Sequence, residues 1–251
     1  MKLTYIARRG LVCGLVAACL TITCKHKPAA RADSAGLTAM REVAQRFIQH
    51  ECDGLTDRLS AFSRVLTADR DFSMKLLVEN NRSASEVTDF TPRYMEPMGF
   101  SLLEITDAQR VLLSCGQFPA SSGTSIAEKA GNLTDQAQFV NDKVQGRAAL
   151  TLQTQLRLKI ADSVLYCSGG LIVDDRFVNS LPLANGFKAI IRQGGTIIGL
   201  GPGASVSAGT DSTITINETT YRAATIALPF SGGGEKAVLI IFDERPEPLK
   251  P

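Results

Sequence analysis

The stretch that most limits what this chain can fold into runs from Gly99 to Cys115, GFSLLEITDAQRVLLSC, because a weaker copy of it returns at Gly186 to Leu200 as GFKAIIRQGGTIIGL. The first copy opens on Gly-Phe, extends through Leu102, Leu103 and Ile105, turns at Thr106-Asp107-Ala108-Gln109 and resumes at Val111, Leu112 and Leu113. The second runs through Ala189, Ile190 and Ile191, turns at Gly194-Gly195 and resumes at Ile197 and Ile198. Aliphatic runs split by a short polar or Gly-Gly turn read as β-hairpins. Downstream the echo continues: LTLQTQLRLKIADSVLYCSGGLIVDD (Leu150 to Asp175) has the same design as TTYRAATIALPFSGGGEKAVLIIFDE (Thr219 to Glu244), a long strand, a turn, a long strand and an acidic stop. Two hairpins recurring in the same order predict a duplicated antiparallel α+β module rather than one large sheet.

Ahead of the first hairpin lies helical material. From Leu37 to Leu66 apolar residues fall at Leu37, Met40, Ala44, Phe47, Ile48, Leu55, Leu59, Phe62 and Leu66, which predicts a helix with one apolar face. Asp53-Gly54 is a candidate break, and two shorter helices are the alternative. If continuous, the helix spans roughly 45 Å and can back two small sheets in succession. Asp69 to Asn80 and Ser83 to Met98 read as short helices, with Ser83 and Glu86 spaced for a capping box. A short helix is expected around Ser125 to Gly131, a third strand over Ala137 to Val144, and a helix capped by Asp174 or Asp175 that carries Phe177, Val178 and Leu181. Further strands are expected near Ser212 to Ile216, Tyr221 to Leu228 and Ala237 to Phe242.

The N-terminus carries an address. Lys2, Arg8 and Arg9 precede an apolar run from Leu11 to Ile22, about a dozen residues, too short to cross roughly 30 Å of hydrocarbon as a helix. Val16-Ala17-Ala18-Cys19 resembles the lipobox of bacterial lipoproteins, which implies cleavage after residue 18 and lipidation of Cys19, with Cys24 the second choice. Lys25 to Gly36 is small, polar and Pro-containing, as a tether is. The expected organisation is therefore a signal peptide over 1–18, a tether over 19–36, the long helix with the first module over 37–185, and a smaller second module over 186–251. Export places Cys24, Cys52, Cys115 and Cys167 where disulfides form, but spacing does not choose among three pairings or exclude free thiols.

Residue chemistry argues against several functions. A formal charge of +2, with no Lys/Arg run interleaved with aromatics, gives no nucleic-acid signal. The histidines are His26, in the tether, and His50, two residues from Cys52 and so on a different side of a helix. No histidine-based triad, HExxH motif, nucleophile elbow or paired-cysteine zinc site is legible, so neither an enzyme, a metal site nor a cofactor is expected. Gly199 to Gly203 and Ser231 to Lys236 join strand to strand, which suits hairpin turns rather than phosphate loops.

A membrane-targeting N-terminus, a long helix and two consecutive antiparallel modules resemble the double Cache sensory region of bacterial histidine kinases and chemoreceptors. GFSLLEITDAQRVLLS is similar to that family's first strand pair, and SVLYCSGGLIVDDRFVNSL to its last strand, small-residue turn and following helix. The resemblance covers about Leu37 to Glu244 and implies a PAS-like shape for each module. The family's amino-acid-binding Tyr/Arg/Trp/Asp constellation is not recognisable, so no ligand carries over. In the family a second transmembrane helix and a signalling domain would follow where this chain stops, which leaves a free-standing sensor-like lipoprotein or a truncated receptor gene.

The candidate ligand site follows from alternation along Leu150 to Ile160. Leu150, Leu152, Leu156, Leu158 and Ile160 share one face with Thr154, while Gln153, Gln155, Arg157 and Lys159 share the other. With the apolar face on the long helix, Gln153, Gln155 and Arg157 face a space that the segment from Ser83 to Gly131 can roof. Arg93, Tyr94 and Tyr166 join them by position. The expected function is small-molecule sensing on the periplasmic side of the cell envelope, by a lipid-anchored protein that works with an envelope signalling partner. The alternative is a scaffold lipoprotein without a pocket.

Overall fold

In the computed structural model, residues 30–126, 133–201, 203–208, 212–231 and 235–246 are described. The apolar stripe forms a single helix, α1 (Ala30–Ala68), that passes through Asp53-Gly54 without a break. It starts inside the segment read as a tether, where Ala30, Ala32 and Ala35 favour helix over coil. Leu37, Ala44, Ile48, Cys52, Leu55, Leu59, Phe62 and Leu66 are all buried on its inner face. Arg41, Arg46, Gln49, Asp53 and Asp57 face solvent. At 1.5 Å per residue the helix is about 58 Å long, enough to pass behind both sheets.

After α1 the chain folds back through α2 (Arg70–Ser73), a π-helical turn at Met74–Val78, α3 (Ser85–Thr88) and α4 (Phe90–Met95). The Asp69 side chain caps α2 by accepting from Phe72 N–H at 2.8 Å. The Ser83/Glu86 capping box does not form: α3 begins after Ala84, and the Ser83 hydroxyl donates instead to Asn81 Oδ1 at 3.3 Å. A nearby side-chain acceptor has outcompeted the backbone. Phe90 meets Phe62 and Phe72 edge-on, with ring centroids 5.8 and 5.0 Å apart, and fixes these short helices against α1.

The first sheet comprises β1 (Leu102–Asp107), β2 (Leu112–Cys115), β3 (Gln138–Val144), β4 (Arg147–Ile160) and β5 (Ser163–Ile172) in the order β2-β1-β5-β4-β3. A short α5 (Asp175–Asn179) follows, its N-cap Asp174 accepting from Arg176 and Phe177 N–H groups at 3.0 Å. The second sheet comprises β6 (Phe187–Gln193), β7 (Thr196–Ile198), β8 (Val206–Ala208), β9 (Thr213–Ile216), β10 (Thr219–Ala227) and β11 (Val238–Pro246), in the order β7-β6-β11-β10-β9-β8. The two orders are the same plan, with β8 added at one edge of the second. All the pairings within them are antiparallel. The sheets stay separate, and the Phe100 and Phe187 hairpins lie in different ones.

One apolar core runs between α1 and the inner faces of both sheets. The first sheet contributes Leu103, Ile105, Leu152, Leu165 and Cys167, and the second Ala189, Ile191, Ile226, Leu239 and Ile241. Phe177 of α5 joins the halves, with its ring 6.0 Å from Phe47 on α1 and 6.3 Å from Phe139 on β3. Gly169 permits the closest approach: a Cβ there would sit 2.6 Å from Phe100 Cε1 and 3.1 Å from Leu59 Cδ1. The segment 127–131 of the expected Ser125–Gly131 helix lies outside the described residues.

Candidate ligand cleft on the outer face of the first sheet

Alternation on a half-exposed strand leaves one face wet, yet along β4 both faces are buried from Leu150 to Gln155. Something covers the polar side. Register shows what shares it: Glu104 on β1 stands opposite Ser168 on β5, which stands opposite Gln155 on β4, and Gln153 stands opposite Gly170. Thr151 and Val140 are partners on the same face. A Cβ on Gly170 would lie 2.7 Å from Gln153 Cγ, so the absent side chain makes room for the amide.

Burying this many polar groups is costly unless they bond to one another. Glu104 is 5% exposed and accepts from Gln117 Nε2, while Gln117 Oε1 accepts from Leu103 N–H at 3.2 Å. Gln153, 2% exposed, donates from Nε2 to Asp142 Oδ2 at 2.6 Å and to Thr151 Oγ1 at 2.8 Å. Asp142 Oδ1 also accepts from Lys143 N–H at 2.6 Å. Gln155 Nε2 donates to Ser168 Oγ at 2.9 Å, and Arg110 donates to Gln155 Oε1 at 2.9 Å. The Arg110 guanidinium lies 3.6 Å over the Tyr166 ring, a cation–π contact that closes this end of the face.

At the other end a cleft of about 980 Å³ remains open. Glu104, Cys115, Val140, Asp142 and Gln153 line its floor, and the segment 117–126 leans over it with Phe118 more than half exposed. That roof is clipped to β2 and its turn: Leu112 N–H donates to Thr124 O at 2.9 Å, Gly123 N–H to Leu112 O at 2.7 Å and Ile126 N–H to Arg110 O at 2.9 Å. Phe230 and Ser231, beyond β10, complete the wall. The volume suits a metabolite-sized ligand, and mixed apolar and amide lining is the usual composition of such sites.

The corresponding face of the second sheet is filled. Ile190, Ile214, Ile216, Ala223, Ile240 and Phe242 form a separate apolar cluster there, with Leu200 and Val206 packed against it. One plan thus carries two chemistries.

The residues picked from sequence are distributed as follows. Gln153 lines the cleft. Gln155 and Tyr166 lie on the same sheet face, engaged with Arg110, and Arg157, the register partner of Tyr166, is exposed. Arg93 and Tyr94 are on α4, and Tyr94 packs against Phe62 and Phe90 on the α1 side of the sheet. The roof is the 117–126 segment, while α3 and α4 lie behind the sheet because Val87 and Phe90 are apolar and bury there. Sequence reasoning passed over Glu104, Asp142, Gln117, Arg110 and Phe230. Only Glu104 left a local signal, a carboxylate in the middle of the otherwise apolar LLEI.

Two of the described thiols, Cys52 and Cys167, are poor nucleophiles. Cys52, Cys115 and Cys167 are all buried. Burial, then the neighbouring Asp53 and Glu51, push Cys52 up to about 11, and burial pushes Cys167 up further. Cys19 and Cys24 lie outside the described residues. Among the described residues no helix is long and apolar enough to cross a membrane.

With helix, sheets and cleft in place, the fold is defined: tandem PAS-like modules arranged as in Cache-type domains, with a long N-terminal helix backing two antiparallel sheets. Solved structures with similar folds include two from Vibrio cholerae. The sensor domain of the Vibrio cholerae histidine kinase DctB superposes with a TM-score of 0.53 at 11% identity, over 86% of this chain and 100% of that one. The periplasmic domain of Vibrio cholerae LuxQ also gives 0.53, at 14% identity, over 82% of this chain and 99% of that one. No family model and no curated protein matches the sequence.

Proposed function

We propose that this chain is an extracytoplasmic small-molecule sensor module, held at a membrane by lipid on Cys19, with the first-sheet cleft as its ligand site. The observation that carries the reading is the contrast between two sheets of one strand order. A face needed only for stability is packed with aliphatic side chains, as in the second sheet. The same face of the first sheet instead keeps two buried carboxylates, two buried glutamines and an open volume. Polar groups cost stability when buried, and a ligand-binding role accounts for their retention. That DctB and LuxQ are named as sensor and periplasmic domains supports the sensory, periplasmic reading. Glu104, Gln117, Asp142 and Gln153 are the proposed ligand contacts.

A thermal-shift screen of a metabolite panel tests this. At least one compound raises the melting temperature of the wild type, and the shift is lost in Glu104→Gln and in Gln153→Ala. A flat response across the panel sinks the sensor reading and favours a scaffold. Lipid attachment has its own test: labelled palmitate enters the wild type but not Cys19→Ala. Label that persists there and disappears in Cys24→Ala moves the site, and absence of label in the wild type removes the anchor.

A further inference from the structure

The cleft wall formed by Phe230 and Ser231 does not come from the first sheet. These residues lie in the link between β10 and β11, and two main-chain hydrogen bonds pin that link to the edge of β3. Phe139 N–H donates to Pro229 O at 2.7 Å, and Ser231 N–H donates to Phe139 O at 2.9 Å. Phe139 and Phe230 thereby form an isolated parallel bridge, the point where the otherwise separate sheets exchange backbone bonds. Phe230 lines the cleft and also packs against the shared core. Its partner Phe139 is fully buried and meets Phe177, which meets Phe47 on α1. Just upstream, Leu228 is buried in the same core, and its N–H donates to Ala237 O at the mouth of β11.

We infer that Pro229–Ser231 is a strap through which the contents of the cleft act on the second sheet. The inference rests on reading the cleft as a ligand site. A molecule that displaces Phe230 must either break both bonds to β3 or carry the ends of β10 and β11 with it. Close-packed interiors transmit such a shift rather than absorb it. The second sheet, apolar on both faces, is then the responding body and not a second receptor.

Hydrogen exchange with mass spectrometry on the full chain tests the strap without a ligand. Leu112 lines the cleft, so Leu112→Trp supplies a built-in occupant, and Ser231→Pro removes one of the two strap bonds. In Leu112→Trp, exchange in peptides covering β10 and β11 changes by about threefold or more. In the double variant that change is lost, while the change in the first sheet remains. A Leu112→Trp effect confined to the first sheet overturns the strap, and so does a second-sheet effect that survives Ser231→Pro, since α1 would then be the route. If Leu112→Trp does not fold, Cys115→Phe on the same cleft floor takes its place. A silent metabolite panel alongside a propagated effect removes the sensor reading and leaves the strap standing.

Discussion

Thr106 is the plainest case of a residue whose chemistry its surroundings do not use. It follows Glu104 by two positions on β1, is fully buried, and its Oγ1 has no hydrogen-bond partner. A buried hydroxyl without a partner loses hydration and regains nothing, a cost of about 1–3 kcal/mol. Thr106→Val removes the oxygen at nearly constant shape. It is expected to leave stability unchanged or raise it by about 1 kcal/mol in urea unfolding. A loss of that size would mean the hydroxyl holds a bond in solution. The contrast with Glu104 is instructive, because that carboxylate is equally buried but bonded by Gln117.

At the level of elements, Gly54 marks what α1 tolerates. It lies inside an unbroken helix, and a Cβ added there would meet nothing within 4 Å. Gly54→Ala is therefore expected to stabilise the protein by about 0.5–1 kcal/mol, read as a higher urea midpoint at unchanged slope. A lower midpoint would show that the helix needs a bend at this position. Elements of this kind were readable from sequence because their signals are local: the 3.6-residue stripe of α1, the period of two in β4 and the Asp174 cap of α5. β8 was not, since Val206-Ser207-Ala208 alternates over only three residues, with one large apolar side chain, too short a pattern to stand out from a loop. The Ser83 cap misled because its competitor, Asn81, matters only once the turn has formed. The cleft was half legible. Gln153 followed from strand parity, whereas Asp142, Gln117 and Phe230 reach the site through pairings across 11, 13 and more residues that no local pattern encodes.

For the whole molecule, the question is whether two sheets make two folding units. The N-terminal part of α1 lies against the second sheet, where Gly36 approaches Phe187 and Ala184 N–H donates to Met40 Sδ at 3.2 Å. The C-terminal part lies against the first, where Leu59 fills the space beside Gly169. Neither sheet closes its inner face without its own stretch of one helix, and Phe177 seals the seam between them. A helix shared in this way couples the halves, because fraying it at either end exposes core belonging to both. The wild type is expected to unfold in urea as one transition, coincident by far-UV circular dichroism and tyrosine fluorescence. Gln49→Pro probes the coupling directly. Gln49 is exposed, so its side chain buries nothing, but proline inside the helix costs about 3 kcal/mol or more. That loss should appear as a shift of the single transition to lower urea, with exchange protection reduced in both sheets. Two separated transitions in the wild type, or a loss of protection limited to the second sheet in Gln49→Pro, would mean that the modules fold independently and that α1 merely lies along them.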